Sequence, residues 1–350
     1  MDRWDYLIAK GDLARGELRA APAAELAEGE ALLAVERFSL TANNVTYGAM
    51  GDAFGYWSFF PAAEGFGRVP VWGFATVVAS KAEGVEPGLR LFGYLPMSSH
   101  FTARLVRRGG GYVDAAEHRA QLPPTYNQYA EAPRPSETDD HRALLRPLFA
   151  TSWLIDDFLE EAGDFGATSV ILTSASSKTA LGLAWRLAKR GVAVIGLTSP
   201  GNRAFLESLG TFARVVAYDD IDSLDLEGPV AIVDFAGNAG VVGRLHRRFA
   251  DAIVHSAIVG ATHWEAAPEQ AELPGAPRAL FFAPDQIRKR MGEWGAAEFD
   301  RRFAEGLADF VAGSPWLKLE TVHGPDGLAE AWSAVAGGTA SPDTGLIVKL

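Results

Sequence analysis

The 350-residue chain contains no cysteine, which excludes disulfides, thiolate-bound metal and a cysteine nucleophile. Its seven histidines are scattered, none three or four residues from another, so no helical His pair for a metal is visible. It has no apolar run of the roughly 18 residues that a membrane-spanning helix needs. The opening Met1-Asp2-Arg3-Trp4-Asp5 has no basic segment with an apolar core behind it. The expectation is a cytoplasmic protein that works neither in nor on a membrane. Cations are also in deficit: 32 Lys and Arg face 44 Asp and Glu, giving a net charge of −12. That balance argues against a nucleic-acid partner, while leaving room for a local basic pocket that takes a phosphate. What is present is core material, 48% hydrophobic and 22% charged residues, in a chain long enough for two domains.

The most informative stretch runs from Ser169 to Gly196. Ser169 to Thr173 is a short β-branched run of the kind buried on both faces in a parallel sheet. Leu181, Ala184, Trp185 and Ala188 then recur at helical spacing, with Lys189 and Arg190 in the last turn and Gly191 as the stop. A second buried strand, Val192 to Leu197, completes a βαβ unit. The turn that opens the helix, Ser174-Ala175-Ser176-Ser177-Lys178-Thr179-Ala180, would present free N–H groups to an anion. The dinucleotide fingerprint places glycines where this chain has Ser174, Ser177 and Ala180. Small residues still allow a pyrophosphate to approach, and the hydroxyls and Lys178 add donors. An ordinary βαβ unit with a Ser-rich cap is the alternative.

Residues 1 to about 120 read as mostly β, with runs at Ala31–Phe38, Phe74–Ala79, Arg90–Tyr94 and Phe101–Val106 separated by turn signals. Leu122 to Pro135, with Pro123-Pro124 and Pro133-Arg134-Pro135, reads as a linker or surface crossing. A helix is expected over His141–Glu161. From Ser169 to about Phe282 strands alternate with helices, the doubly wound α/β pattern. A polar helix near Ala296–Ala312, a strand at Leu317–Val322, a short helix and a final strand at Gly345–Val348 close the chain.

Five segments in order carry a resemblance. Thr41-Ala42-Asn43-Asn44-Val45-Thr46-Tyr47 resembles a segment in which Asn-Pro-x-Asp precedes a Tyr. Glu86-Pro87-Gly88-Leu89-Arg90-Leu91-Phe92-Gly93 resembles a G-D-R-V-x-G strand. Arg146-Pro147-Leu148-Phe149-Ala150-Thr151-Ser152 resembles a P-L-x-x-T-A helix. Phe205-Leu206-Glu207-Ser208-Leu209-Gly210 resembles F-L-K-S-L-G, and Val233-Asp234-Phe235-Ala236-Gly237-Asn238 resembles V-x-D-x-x-G-G. Together they make the chain similar to the medium-chain dehydrogenases/reductases of the zinc-free quinone oxidoreductase and enoyl reductase kind. Phe281-Phe282-Ala283-Pro284 resembles an uncharacterised, DUF2855-like branch of that superfamily.

The resemblance implies a GroES-like β-rich domain from residues 1–135 and 290–350, and a Rossmann domain from 136–289. It implies NADP(H) as cofactor, a small-molecule substrate and no metal, and leaves a homodimer open. Cofactor contacts would come from Thr151, Ser174, Ser176, Ser177, Lys178, Thr179, Thr198, Arg203, Tyr218, Ala236 and Gly237. Where NAD-specific chains carry an acid for the ribose 2′-OH, this one has Thr198-Ser199-Pro200-Gly201-Asn202-Arg203, which suits a 2′-phosphate. Aligned on Leu209-Gly210, Asn202 rather than Arg203 falls at the family's usual Lys.

Tyr47 is the leading candidate to donate to an oxyanion as hydride arrives, with Thr41 and Tyr56 as further hydroxyl donors. Each has a bland alternative: a satisfied core phenol for Tyr47, a turn cap for Thr41, packing against Trp57, Phe59 and Phe60 for Tyr56. Thr41 and Asn44 stand where the family pattern has Asn and Asp. His100 and His263 read as ordinary histidines, Arg288-Lys289-Arg290 as a charged helix face, and Trp72, Phe281 and Phe282 as core. The reaction implied is hydride delivery to a C=C conjugated with a carbonyl, from a quinone, enone or enoyl thioester. The alternatives are a non-catalytic nucleotide sensor, since fold does not imply function, and a turn that holds another phosphorylated ligand such as a CoA ester.

Overall fold

A computed structural model describes residues 3–259 and 273–350. It divides into two compact units, Met1–Arg146 with Leu317–Leu350, and Pro147–Trp316.

The first unit begins with a hairpin of β1 (Trp4–Ala9) and β2 (Asp12–Ala20), followed by β3 (Ala31–Leu40) and helix α1 (Ala42–Ala49). Strands β4 (Phe66–Gly67), β5 (Pro70–Ser80), β6 (Arg90–Pro96), β7 (His100–Ala103), β8 (Leu105–Arg108), β9 (Gly111–Asp114) and β10 (Gln128–Glu131) follow. β5 approaches β3 closely at Gly73, where a Cβ would lie 2.1 Å from the Arg37 carbonyl oxygen; only glycine fits this crossing. The run expected at Phe101–Val106 is two strands that break at Arg104. The segment expected to be a linker, Leu122–Pro135, is built into the sheet: β10 pairs with both β6 and β9. Tyr129 is the reason, because its buried ring fills the core and its hydroxyl donates to the Tyr94 carbonyl at 2.7 Å.

The boundary between units falls within α2 (Asp139–Glu161), at Pro147. In the second unit the chain alternates β11 (Ser169–Leu172), α3 (Lys178–Lys189), β12 (Ala193–Thr198), α4 (Arg203–Ser208), β13 (Arg214–Ala217), β14 (Val230–Asp234), α5 (Ala239–Phe249), β15 (Ile253–Ile258), β16 (Arg278–Leu280), α6 (Ala283–Trp294) and α7 (Ala296–Ala312). The six strands are all parallel, in the order β13-β12-β11-β14-β15-β16. Numbered within the unit this is 3-2-1-4-5-6, the Rossmann order, with the reversal between β11 and β14. Every residue of β11 is buried, and Val170, Ile171 and Leu172 each contribute about 1.5–3 kcal/mol of apolar burial. Residues 290–316, grouped by the sequence reading with the terminal segments, lie in this unit. The cause is aromatic packing: Phe310 stacks on Phe149 at 4.9 Å, and Phe299 and Phe303 pack edge-on to Trp153.

The C-terminal segment returns to the first unit as β17 (Lys318–His323), α8 (Gly324–Ala336) and β18 (Thr344–Lys349). β18 pairs antiparallel with β3 and extends the large sheet, while Trp332 of α8 is fully buried in the first unit's core.

Candidate functional site

In the second unit, the turn after β11 lies at the point where strand order reverses, the position at which open α/β sheets bind ligands. Its backbone follows a glycine's path without the glycine. Ser174 sits at φ +47°, a left-handed conformation that costs a non-glycine residue roughly 1–2 kcal/mol. The turn is held from several sides. Ser174 donates its N–H to the Tyr218 hydroxyl at 3.0 Å, and Ala175 donates to the Leu197 carbonyl at 2.9 Å. Ser177 is the N-cap, its hydroxyl accepting the Ala180 N–H. The Ser152 hydroxyl donates to the Thr179 carbonyl at 2.6 Å, and a Cβ on Gly182 would lie 2.7 Å from that hydroxyl, so α2 and α3 are packed closely here. Lys178 and Thr179 open α3 and are half-buried. A helix this long leaves its first amide groups unpaired within itself and carries the positive end of its dipole there.

The remaining expected cofactor residues are placed as follows. Ser176 accepts from Asn202 at 3.0 Å and lies 3.4 Å from the Thr198 hydroxyl, so Asn202 is the residue of that loop that reaches the turn. Arg203 points elsewhere: it pairs with Glu207 at 2.8 Å and lies 3.7 Å from Asp220. Ala236 and Gly237 direct their N–H groups inward, each 3.1 Å from Oδ1 of the fully buried Asp234. Asp234 also accepts from Thr173 and from Arg278, both at 2.7 Å, which stitches β11, β14 and β16 together. Tyr218 is half-buried, and burial raises its phenol pKa. Thr151 is half-buried on α2, beside Ser152.

In the first unit, Tyr47 on α1 is buried within an aromatic cluster. Its ring centroid lies 4.7 Å from Tyr56, 5.5 Å from Tyr94 and 6.2 Å from Tyr126. Its hydroxyl oxygen accepts the Trp72 indole N–H at 3.3 Å. Burial pushes the Tyr47 phenol up to about 12, and pushes Tyr94 and Tyr126 well above the usual phenol value. The Tyr56 and Tyr126 hydroxyls are 3.4 Å apart, and the fully buried Tyr94 hydroxyl has no hydrogen-bond partner.

Thr41 caps α1. Its N–H donates to Asn44 Oδ1 at 2.8 Å, and its hydroxyl lies 3.4 Å from the same oxygen. Asn44 in turn donates its amide to the Pro70 carbonyl at 2.9 Å. An amide rather than a carboxylate is required here, because the position must donate as well as accept. Thr41 is thus tied to the helix start, and the cluster gathers around Tyr47 and Tyr56.

Tyr94 and Tyr126 escaped the sequence reading: one is inside a buried strand and the other follows Pro123-Pro124 in the segment taken for a linker. Trp72, expected to be core, is half-buried with its N–H on Tyr47. Phe282, expected to be core, is 53% exposed, because it lies just before α6, beyond the end of the edge strand β16. Phe281 is half-buried against Phe158 at 5.6 Å. Arg290, expected on a solvated helix face, is buried, paired with Asp157 at 2.6 Å and lying over Trp294 at 4.8 Å. Arg288 pairs with Asp285 on the surface, and Lys289 with Glu161. His100 contacts the Ser99 hydroxyl at 3.0 Å, and burial lowers its pKa. His263 lies outside the described residues. Among the described residues no group of three or more His, Asp or Glu side chains could hold a metal ion, and no helix is long and apolar enough to cross a membrane.

Residues 38–341 match the model of a protein family of unknown function, DUF2855. The chain belongs to that family. No curated protein matches this DUF2855 member in sequence. Its fold is shared with solved structures. CurA from Vibrio vulnificus is 14% identical, with 99% of this chain and 98% of that one covered and a TM-score of 0.65. CurA in complex with NADPH is 15% identical over 95% and 94% of the two chains, with a TM-score of 0.62. A putative NADPH:quinone reductase from Mesorhizobium loti is 15% identical over 100% and 99%, with a TM-score of 0.64. At these identities the likeness shows the fold: this DUF2855 chain combines a Rossmann domain with a GroES-like β-rich domain, as the medium-chain dehydrogenases/reductases do.

Proposed function

We propose that this protein is a zinc-independent, NADPH-dependent reductase that delivers hydride to a C=C conjugated with a carbonyl in a small molecule. The observation that carries the reading is the Ser174 turn: a non-glycine residue held at φ +47°, at the switch point of a Rossmann sheet, with a capped helix behind it. Strained backbone of this kind clusters at functional sites. The fold likeness to CurA, solved with NADPH, supports the same ligand here.

The second unit is the dinucleotide-binding domain in this reading, and the first supplies the groups that act on substrate. The donors left at the start of α3, with Ser176, Ser177, Lys178 and Thr179, take the pyrophosphate. Thr198, Asn202 and Arg203 take the 2′-phosphate, for which Arg203 exchanges Glu207 for the ligand. Tyr218 shapes the turn that faces the ligand, Thr151 lies on the neighbouring helix, and Ala236 and Gly237 contribute carbonyl and Cα surface, their N–H groups being committed to Asp234. Bound NADPH supplies a hydride. Tyr47 donates its proton to the oxyanion that forms on the substrate, with Tyr56 beside it and Thr41 holding the helix on which Tyr47 stands. With no cysteine in the chain, the thiolate-held zinc that polarises alcohols has no ligand set, and hydroxyl donors take over the polarising role. A thiol-free enzyme using reduced nicotinamide belongs in the cytoplasm.

Fluorescence titration of the purified protein with NADPH, NADH and coenzyme A tests the cofactor assignment. NADPH binds most tightly if it is right; preferential binding of coenzyme A would replace it. A nucleotide sensor without catalysis is the second reading, favoured by the glycine-poor loop, with Ser174, Ser177 and Ala180 at the fingerprint's glycine positions.

A further inference from the structure

Arg142 stands where a cation is poorly placed. It lies in the first turn of α2, its N–H bonded to the Thr138 carbonyl at 2.8 Å, at the end of the helix where the dipole is positive. It is half-buried, with its guanidinium 4.7 Å from the centre of the buried Phe92 ring and 5.7 Å from that of Phe74. Burial lowers the Arg142 pKa; Asp139 raises it, and the neighbouring Arg90 lowers it again. The two carboxylates of that helix turn are already taken. Arg90 binds Asp139 at 2.8 Å, while Arg37 and Lys349 bind Asp140 at 2.8 and 2.9 Å. Among the described residues, the Arg142 guanidinium has neither a hydrogen bond nor an ion pair. An arginine that merely covered Phe92 with its stem would need no charge.

The surroundings of that guanidinium give the chemistry of its ligand. Trp72 pairs with Tyr94 across β5 and β6, and Phe74 with Phe92, so the four rings share one face of the ladder. The two pairs lie about 7 Å apart along the strands. Arg142 sits at the Phe74–Phe92 end, and half-buried Trp72 at the other, stacked on Phe92 at 5.9 Å. We propose that this face of the first unit binds a small organic carboxylate, with Arg142 holding the anion and Trp72 beside the apolar body. A guanidinium meets a carboxylate fork to fork, which suits it to this ligand better than an ammonium would be. Arg146, one turn along α2, lies over the same Phe92 ring at 5.4 Å and adds a second positive charge to the face, in a chain whose net charge is −12. An anion here would offset the repulsion of Arg142 by Arg90 and by the helix end. The site belongs to the first unit alone, needs no cofactor and goes beyond the reductase reading.

Fluorine NMR titration of the cofactor-free protein with 4-fluorobenzoate tests the site, with 4-fluorobenzamide as the neutral counterpart and inorganic phosphate as competitor. The wild type should bind the carboxylate about tenfold more tightly than the amide, the worth of a charged hydrogen bond. Arg142→Met keeps an unbranched apolar stem over Phe92 and removes the charge, so it should lose that preference, and Arg142→Lys should keep part of it. Without ligand, Arg142→Met should melt at or above the wild-type temperature, because the cation it removes is poorly placed in the empty protein. A lower melting temperature would mark the arginine as structural and overturn the proposal. So would failure of the wild type to bind 4-fluorobenzoate, equal binding of the two probes, or an Arg142→Met variant that still prefers the carboxylate. Inorganic phosphate that binds more tightly than 4-fluorobenzoate would overturn the ligand class. NADPH affinity, read separately, should be the same in Arg142→Met and wild type, so the failure of this site would leave the reductase reading standing.

Discussion

Trp72 donates its indole N–H to the hydroxyl oxygen of Tyr47 at 3.3 Å, linking β5 to α1 through the phenol proposed above as proton donor. The donor is neutral, so it steadies developing negative charge on Tyr47 without ionising it in the resting protein. Tyr47→Phe should lower kcat by about 10² to 10³, the usual loss for one oxyanion donor, with NADPH affinity unchanged. Trp72→Phe should lower it by about tenfold. Steady-state kinetics with NADPH titrations on each variant check both numbers. A Trp72→Phe loss equal to that of Tyr47→Phe would mean that the indole, not the phenol, faces the substrate.

Alkali should unfold the first unit through its buried phenols. Burial lifts both Tyr47 and Tyr129 from the ordinary value of 10.0 to about 12. The folded chain therefore keeps protons that the unfolded chain releases. Stability is complete below pH 10.0, falls as pH rises from there to about 12, and the loss reaches about 3 kcal/mol for each residue. Melting temperatures measured from pH 9 to pH 12 should drop across that window, less steeply in Tyr47→Phe.

Asn44→Asp restores the residue of the family pattern and should nevertheless destabilise the protein. The substitution removes the donor to the Pro70 carbonyl and sets a buried carboxylate against that oxygen. The cost is about 2–3 kcal/mol at pH 7, read by urea denaturation. A neutral effect would show that the surroundings reverse their hydrogen bonds.

Cofactor preference should follow the loop after β12. NADPH should bind better than NADH by about 1.5–3 kcal/mol, the worth of charge-assisted hydrogen bonds, and Arg203→Ala should lose that margin. Asn202→Ala should weaken both cofactors, since Asn202 holds Ser176 in the turn. If Arg203→Ala keeps the full preference, the Glu207 pair is where that side chain stays.

The Rossmann half was legible because its signals are local. Ser169–Leu172 and Ala193–Thr198 are contiguous apolar runs around a helix with a serine cap, and parallel order follows from their alternation with helices. The phenol cluster was only half legible. Tyr47 stood out by its place in a family segment, whereas Tyr94 and Tyr126 meet it through pairing of β6 with distant strands and through a turn hidden by Pro123-Pro124. Commitments of polar groups were not legible either. Nothing in the spacing of Arg203 and Glu207, or of Asp234 and Gly237, says whether a side chain bonds its own chain or waits for a ligand.

Oxidation of NADPH by the metal-free protein, followed as loss of reduced-nicotinamide absorbance with a panel of enones, quinones and enoyl thioesters, tests the central claim most directly. The account predicts turnover of at least one of these, undiminished by chelators and suppressed in Tyr47→Phe. Tight NADPH binding with no oxidation by any member of the panel would contradict it and leave a nucleotide sensor on a reductase fold.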